Sequence, residues 1–150
     1  GERGRGKTQD AKNLPLIMAM HDCAYVATAS TAFMEDFYAK LDRAIAAARH
    51  GFAYLHVYSP CTTGWRFPAE KNIEVARRAV ECNFVTLWEF TPAAGLRFTR
   101  DPDRPRPLAD YLATLGKFRH LSAGQVGHLE ARLAENVARL RGLVREPAAA

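Results

Sequence analysis

Phe52-Ala53-Tyr54-Leu55-His56-Val57-Tyr58 decides how this sequence is read. Aromatic and branched residues follow one another there with almost no polar alternation. Such a run marks a strand buried on both faces, as in a parallel sheet. Upstream, Phe33, Phe37, Leu41, Ala44, Ile45 and Ala48 recur at helical spacing, which predicts a helix over 31–49 with one apolar face. His50-Gly51 ends it. Ahead of that helix, Tyr25-Val26-Ala27-Thr28 predicts a short buried strand. Strand, helix, strand in this order is a βαβ unit, and the class is α/β.

Outward from this unit the signals are local. Leu14, Ile17 and Met18 predict a short helix over 13–21, with Asn13 as its cap and Pro15 in its first turn. A polar loop is expected over 59–70, then a helix carrying Ile73, Ala76 and Val80 that ends near Cys82-Asn83. Val85 to Phe90 and Leu96 to Thr99, joined by Thr91-Pro92-Ala93-Ala94-Gly95, predict a hairpin. Pro102, Pro105 and Pro107 make 100–107 an extended connection, and Pro107 opens a short helix that Gly116 is expected to close. Ser122-Ala123-Gly124-Gln125 fits a capping box ahead of a last helix with the stripe Val126, Leu129, Leu133, Val137, Leu140 and Val144. The expected organisation is a basic arm over 1–12, an α/β unit over 13–99, a helical extension over 100–146 and a tail over 147–150.

Two short parallel strands, one of them buried on both faces, do not make a stable sheet. Neighbouring strands are therefore expected from a missing N-terminal half or from another subunit. The alternative is that the hairpin strands complete a small mixed sheet.

Composition narrows the function classes. The 150 residues are 48% hydrophobic and 25% charged, an ordinary globular balance. No apolar run is long enough to cross a bilayer, and no apolar signal-peptide core follows the basic start, so no membrane partner and a cytoplasmic setting are expected. Gly1 in place of Met suggests a processed, trimmed or internal start. The net charge of +5, from 21 basic and 16 acidic residues, is compatible with nucleic acid, an acidic cofactor such as coenzyme A, or an acidic partner. The arginines are scattered rather than interleaved with stacking aromatics, so a nucleic-acid module ranks last. Cys23, Cys61 and Cys82 form no C-x-x-C pair, and three cysteines cannot complete a four-thiolate site. Any metal cluster here must borrow ligands. The five histidines, His21, His50, His56, His120 and His128, lack partnering motifs and read as surface or packing residues.

Ser59-Pro60-Cys61-Thr62-Thr63-Gly64-Trp65 follows the decisive strand directly. Ligands in open α/β sheets gather beyond the carboxyl ends of parallel strands. Pro60 fixes one backbone angle ahead of Cys61, Gly64 allows a tight turn after it, and Thr62 and Thr63 offer hydroxyls. A thiolate presented this way suits metal ligation or nucleophilic work, whereas the bland alternative is a small buried hydrophobe.

Taken together, Tyr25-Val26-Ala27-Thr28-Ala29-Ser30 and Ser59-Pro60-Cys61-Thr62-Thr63-Gly64-Trp65 closely resemble the β subunit of the pyruvate:ferredoxin oxidoreductase family of 2-oxoacid oxidoreductases. Arg106-Pro107-Leu108 through Gly116-Lys117-Phe118-Arg119-His120-Leu121 looks like its C-terminal region, and the resemblance runs from about residue 6 to the final helix. It implies part of a thiamine-diphosphate-binding-type α/β fold with parallel strands, plus a C-terminal hairpin and helices. It also implies a share in coenzyme A-dependent oxidative decarboxylation of a 2-oxoacid to acyl-CoA and CO2, with electrons passing to an iron–sulfur cluster. Cys61 matches the family cysteine that supplies one ligand to a [4Fe–4S] cluster, while Cys23 and Cys82 match no ligand position and are expected to be structural. The family's Gly-Asp-Gly element with its following Asn, which holds thiamine diphosphate and Mg2+, is absent from the sequence. The implied partners are the N-terminal half of β, the α subunit, and ferredoxin or another electron acceptor. The cysteine loop looks closer to pyruvate-type and branched or aromatic members than to 2-oxoglutarate members, with an aryl substrate such as phenylglyoxylate, or oxalate, in range. The alternative from another class is a non-catalytic assembly subunit.

Overall fold

Strand β1 (Tyr25–Ser30) is buried along its whole length, and the rest of the chain is arranged around it. In the computed structural model, residues 12–144 are described; the arm expected over 1–12, all but its last residue, and the tail expected over 147–150 fall outside them. β1 pairs in parallel with β2 (Ala53–Tyr58), from Tyr25 against Ala53 to Ser30 against Tyr58. On its other side β1 pairs antiparallel with β3 (Trp88–Thr91), which forms a hairpin with β4 (Gly95–Phe98). The sheet order is β2-β1-β3-β4. Gly95, at φ 72°, takes the left-handed conformation that the turn requires.

The expected α/β class is what the structure shows, and the hairpin does join the sheet as the mixed-sheet alternative required. The strand read as buried on both faces is corrected. No residue of β2 is fully buried, and His56 and Val57 are exposed. β2 lies at the edge of the sheet with nothing beyond it among the described residues, so its apolar side chains lack a neighbouring strand.

Helix α1 (Leu14–Ala19) is capped by Asn13, whose side chain accepts the Leu16 N–H at 3.2 Å. Helix α2 (Met34–Ala47) crosses from β1 back to β2 and covers one face of both. Its contact with the sheet is made by Ala44, which packs with Tyr25, Ala27 and Leu55, and by Lys40. Lys40 is fully buried and saturated. Its Nζ donates to the Thr28 carbonyl (2.8 Å), Asp36 Oδ2 (2.7 Å) and Thr99 Oγ1 (2.7 Å). Burial pushes this ammonium below its ordinary range, and Asp36 pulls against that shift. A short α3 (Thr62–Trp65) and a 3-10 turn (Ala69–Lys71) interrupt the stretch expected as a plain loop over 59–70.

α4 (Asn72–Glu81), α5 (Leu108–Leu112) and α6 (Ala123–Arg141) build the core on the far side of the sheet from α2. Val75, Ala79, Tyr111 and Leu115 meet there with Phe67. α6 opens with the expected capping box: Ser122 and Gln125 exchange side-chain-to-backbone bonds. Its Leu140 joins Val26, Trp88 and Leu96, which ties the C-terminal helix to the sheet itself. Gly116 does not close α5. That helix ends at Leu112, and Gly116 begins a separate 3-10 turn (Gly116–Phe118) placed against the cysteine loop.

Candidate functional site

Cys61 sits just beyond the carboxyl end of β2, exposed, on a loop anchored at both feet. The first foot is Tyr58 and Pro60. Pro60 is buried, and the Tyr58 hydroxyl shares a 2.8 Å hydrogen bond with the Tyr111 hydroxyl. Burial raises both phenols, Tyr58 to about 12 and Tyr111 further, so both are neutral at ordinary pH and suited to that bond. The second foot is Trp65 and Phe67. Trp65 lies 5.9 Å from the Tyr58 ring, 6.3 Å from Phe84 and 6.4 Å from Phe118, all within aromatic contact range. Phe67 is buried in the α4–α5 core. The aromatic feet go inward and the thiol is left outward.

Between the feet the backbone makes one tight turn. The Gly64 N–H donates to Cys61 Sγ at 3.3 Å, and the Trp65 N–H to the Cys61 carbonyl at 3.0 Å. Gly64 lies in this turn, close against the Cys61 sulfur, while the left-handed conformation is taken by Arg66, at φ 57°. That twist turns the chain so that the Phe67 N–H reaches the Thr62 carbonyl at 3.2 Å. Gly116 then closes the loop from outside, donating its N–H to the Arg66 carbonyl at 3.1 Å. Sequence reasoning missed Gly116 and the Tyr58–Tyr111 pair as supports of this loop. Both are long-range contacts without a local pattern.

The other thiols are placed differently. Cys23 and Cys82 are buried, as expected of structural residues, and burial pushes both up, Cys82 to about 11. All five histidines are exposed. No group of three or more His, Cys, Asp or Glu side chains among the described residues could hold a metal ion by itself. Cys61 therefore has the accessibility and the sulfur–N–H contact that suit one thiolate ligand of a shared cluster, and this chain supplies no second one beside it.

Relatives of known description match most of this chain. It is 67% identical, over 136 residues and 91% of its length, to the NADH-dependent phenylglyoxylate dehydrogenase subunit beta of Aromatoleum evansii. The chain belongs to the β subunits of the 2-oxoacid:acceptor oxidoreductase family. It is 40% identical over 130 residues to the pyruvate synthase subunit PorB of Methanothermobacter thermautotrophicus, covering 87% of this chain. It is 31% identical over 144 residues to the ketoisovalerate oxidoreductase subunit VorB of Pyrococcus horikoshii, covering 95%. The matches span 30%, 44% and 46% of those relatives, so this family member corresponds to less than half of each. No protein-family model matches the chain. No helix among the described residues is long and apolar enough to cross a membrane.

Proposed function

We propose that this chain is the part of a 2-oxoacid oxidoreductase β subunit that presents Cys61 as one thiolate ligand of a [4Fe–4S] cluster. The observation that carries this reading is the exposed Cys61 thiol, held on an arch between half-buried Tyr58 and Trp65 and buried Phe67 at the carboxyl end of a parallel strand. A cluster at this position supplies one-electron acceptance during oxidation of a 2-oxoacid to acyl-CoA and CO2. The chain's own part is to fix the sulfur. The Gly64 N–H bonds Sγ, Trp65 and Phe67 lock the turn, and Gly116 braces it. A sulfur that accepts a backbone N–H carries less electron density, which raises the potential of a cluster bound to it.

The remaining ligands, thiamine diphosphate and Mg2+ would be held outside this chain, because its sequence lacks a Gly-Asp-Gly/Asn element and further exposed cysteines. Coenzyme A enters as co-substrate. The partners are the rest of the β polypeptide, the α subunit, and ferredoxin or another electron acceptor, in a cytoplasmic complex. Within the family, an aryl 2-oxoacid of the phenylglyoxylate kind is favoured by 67% identity to that dehydrogenase's subunit, against 40% and 31% for the pyruvate and ketoisovalerate relatives.

The test is Cys61→Ser in the assembled complex. Iron content is expected to fall by one cluster, with loss of its paramagnetic resonance signal and of coenzyme A-dependent oxidation of phenylglyoxylate, while the subunits stay associated. Unchanged iron, signal and turnover would overturn the ligand role and leave the non-catalytic assembly subunit.

A further inference from the structure

We infer that Arg66, Lys117 and Arg119 form a positive collar beside Cys61, which offsets the negative charge of a cluster bound there and raises its reduction potential. This rests on the reading of Cys61 as a cluster ligand.

Two stretches of sequence without carboxylates meet at the thiol. No Asp or Glu occurs between Asp42 and Glu70, or between Asp110 and Glu130. The first stretch contains β2 and the cysteine loop, and the second contains the 116–118 turn. They are distant along the chain and joined in space. The Gly116 N–H bonds the Arg66 carbonyl at 3.1 Å, and the Phe118 ring lies 6.4 Å from that of Trp65. The fold therefore merges two acid-free segments around Cys61. Of the carboxylates that bound them, Glu70 is followed at once by Lys71, and Asp110 shares a small cavity with Arg78 and Arg106.

Three cations stand on this merged surface. α3 is a single helical turn, so Arg66 follows Cys61 within roughly 8 Å. The Arg66 Cβ lies 2.9 Å from where a Gly116 side chain would begin, which sets the Arg66 stem beside Lys117. The Lys117 ammonium lies 5.6 Å from the centre of the Phe118 ring, the same ring that packs on Trp65. Arg119 follows Phe118 directly, and all three cations are exposed. None has a carboxylate partner among the described residues. On neighbouring α4 the pattern is different: Lys71 and Arg78 both pair with Glu74. An ordinary solvated surface mixes its charges as α4 does, whereas the surface beside Cys61 leaves its positive charge uncompensated.

A four-thiolate iron–sulfur cluster is anionic, and reduction adds a further negative charge. Nearby cations stabilise the reduced form more than the oxidised one, so they raise the potential. Coulomb energy falls only inversely with distance, so the collar acts without touching the sulfur. The Gly64 N–H acts on that sulfur through a bond, and the collar acts through its field.

Two readouts test the collar. In the assembled complex, Arg66→Gln, Lys117→Gln and Arg119→Gln are combined, and the cluster's paramagnetic resonance signal is followed through a redox titration. The one-electron reduction equilibrium is expected to move roughly tenfold toward the oxidised form, about 59 mV, with iron content unchanged. The shift should shrink as salt rises, because the three charges are exposed. Arg66→Lys, Lys117→Arg and Arg119→Lys together keep the charges and should keep the potential. So should Arg139→Gln, which removes an exposed arginine near the C-terminal end of α6. In the chain alone, alkylation of Cys61 by anionic iodoacetate is compared with alkylation by neutral iodoacetamide. The ratio of the two rates is expected to fall at least threefold in the triple glutamine variant and to hold in the charge-keeping one. The collar is overturned by an unmoved ratio, by an unmoved potential, or by an equal shift in the charge-keeping variant. A ratio that falls while Cys61→Ser leaves iron and signal unchanged rejects the ligand role and keeps the field at the thiol, so the two readings fail separately.

Discussion

Gly116 donates its N–H to the Arg66 carbonyl at 3.1 Å, and a Cβ on Gly116 would stand 2.8 Å from that same oxygen. The same Cβ would stand 2.9 Å from the Arg66 Cβ, so there is no room for a side chain on Gly116. Arg66 is the left-handed residue that ends the Cys61 turn, so this contact sets how the loop leaves the strand.

Gly116→Ala is therefore expected to push the 116–118 turn off the loop. Overpacking of this kind costs about 1–3 kcal/mol. Urea denaturation should show the loss, and alkylation of Cys61 should change in rate because the turn around it has shifted. Unchanged values for both would mean that the contact is not a brace.

Thiol chemistry should separate the three cysteines. Cys61 is exposed, whereas Cys23 and Cys82 are buried with raised pKa values. In the native chain, iodoacetamide should label Cys61 alone, and the other two only after unfolding, as read by peptide mass spectrometry. Cys61→Ser should alter the stability of the chain by no more than about 0.5 kcal/mol, the usual range for an exposed site.

Glu89 gives the acid limb of stability. It is buried and accepts from the Tyr25 hydroxyl at 2.6 Å, with Arg97 and Arg43 paired to it. Burial by itself would raise this carboxyl, but the Tyr25 bond and the two guanidiniums outweigh burial and hold it below its ordinary value of 4.5. Between that lowered value and 4.5 the unfolded chain binds more protons than the folded one, so stability rises with pH across the window and is full above it. Glu89→Gln should lose about 1–3 kcal/mol at neutral pH, the scale of hydrogen bonds to a charged group. The gap from the native chain should narrow as pH falls below 4.5, read by urea unfolding at several pH values.

The alkaline limb belongs to the Tyr58–Tyr111 pair. Burial raises Tyr58 from 10.0 to about 12, and Tyr111 higher still. Above pH 10 the unfolded chain releases phenolic protons that the folded chain keeps, so stability is fully present below that pH and declines as pH rises through about 12. Tyr111→Phe should flatten this decline while lowering stability at pH 7, where the hydroxyl bond is lost. Thermal unfolding between pH 8 and 11 would check it.

Patterns carried by neighbouring residues were legible in the sequence. The Asn13 cap, the Ser122–Gln125 capping box, the β1–α2–β2 order and the position of Cys61 after a strand all follow from local spacing, and the structure bears them out. Each depends on interactions within a few residues, where periodicity and capping chemistry act. The motif order around Cys61 also pointed to the family that the relatives support.

What the sequence could not settle was where the apolar residues find their partners. The run Phe52–Tyr58 announced double-sided burial, yet among the described residues it is the edge strand, because burial depends on the element beside it. Lys40, on the face of α2 that meets the sheet, is buried because Thr28 of β1 and Thr99 just beyond β4 join Asp36, one turn away on α2, at its ammonium. Gly116 matters through Arg66, fifty positions away along the chain. Such contacts are fixed by packing in space, and only the tertiary structure brings them together.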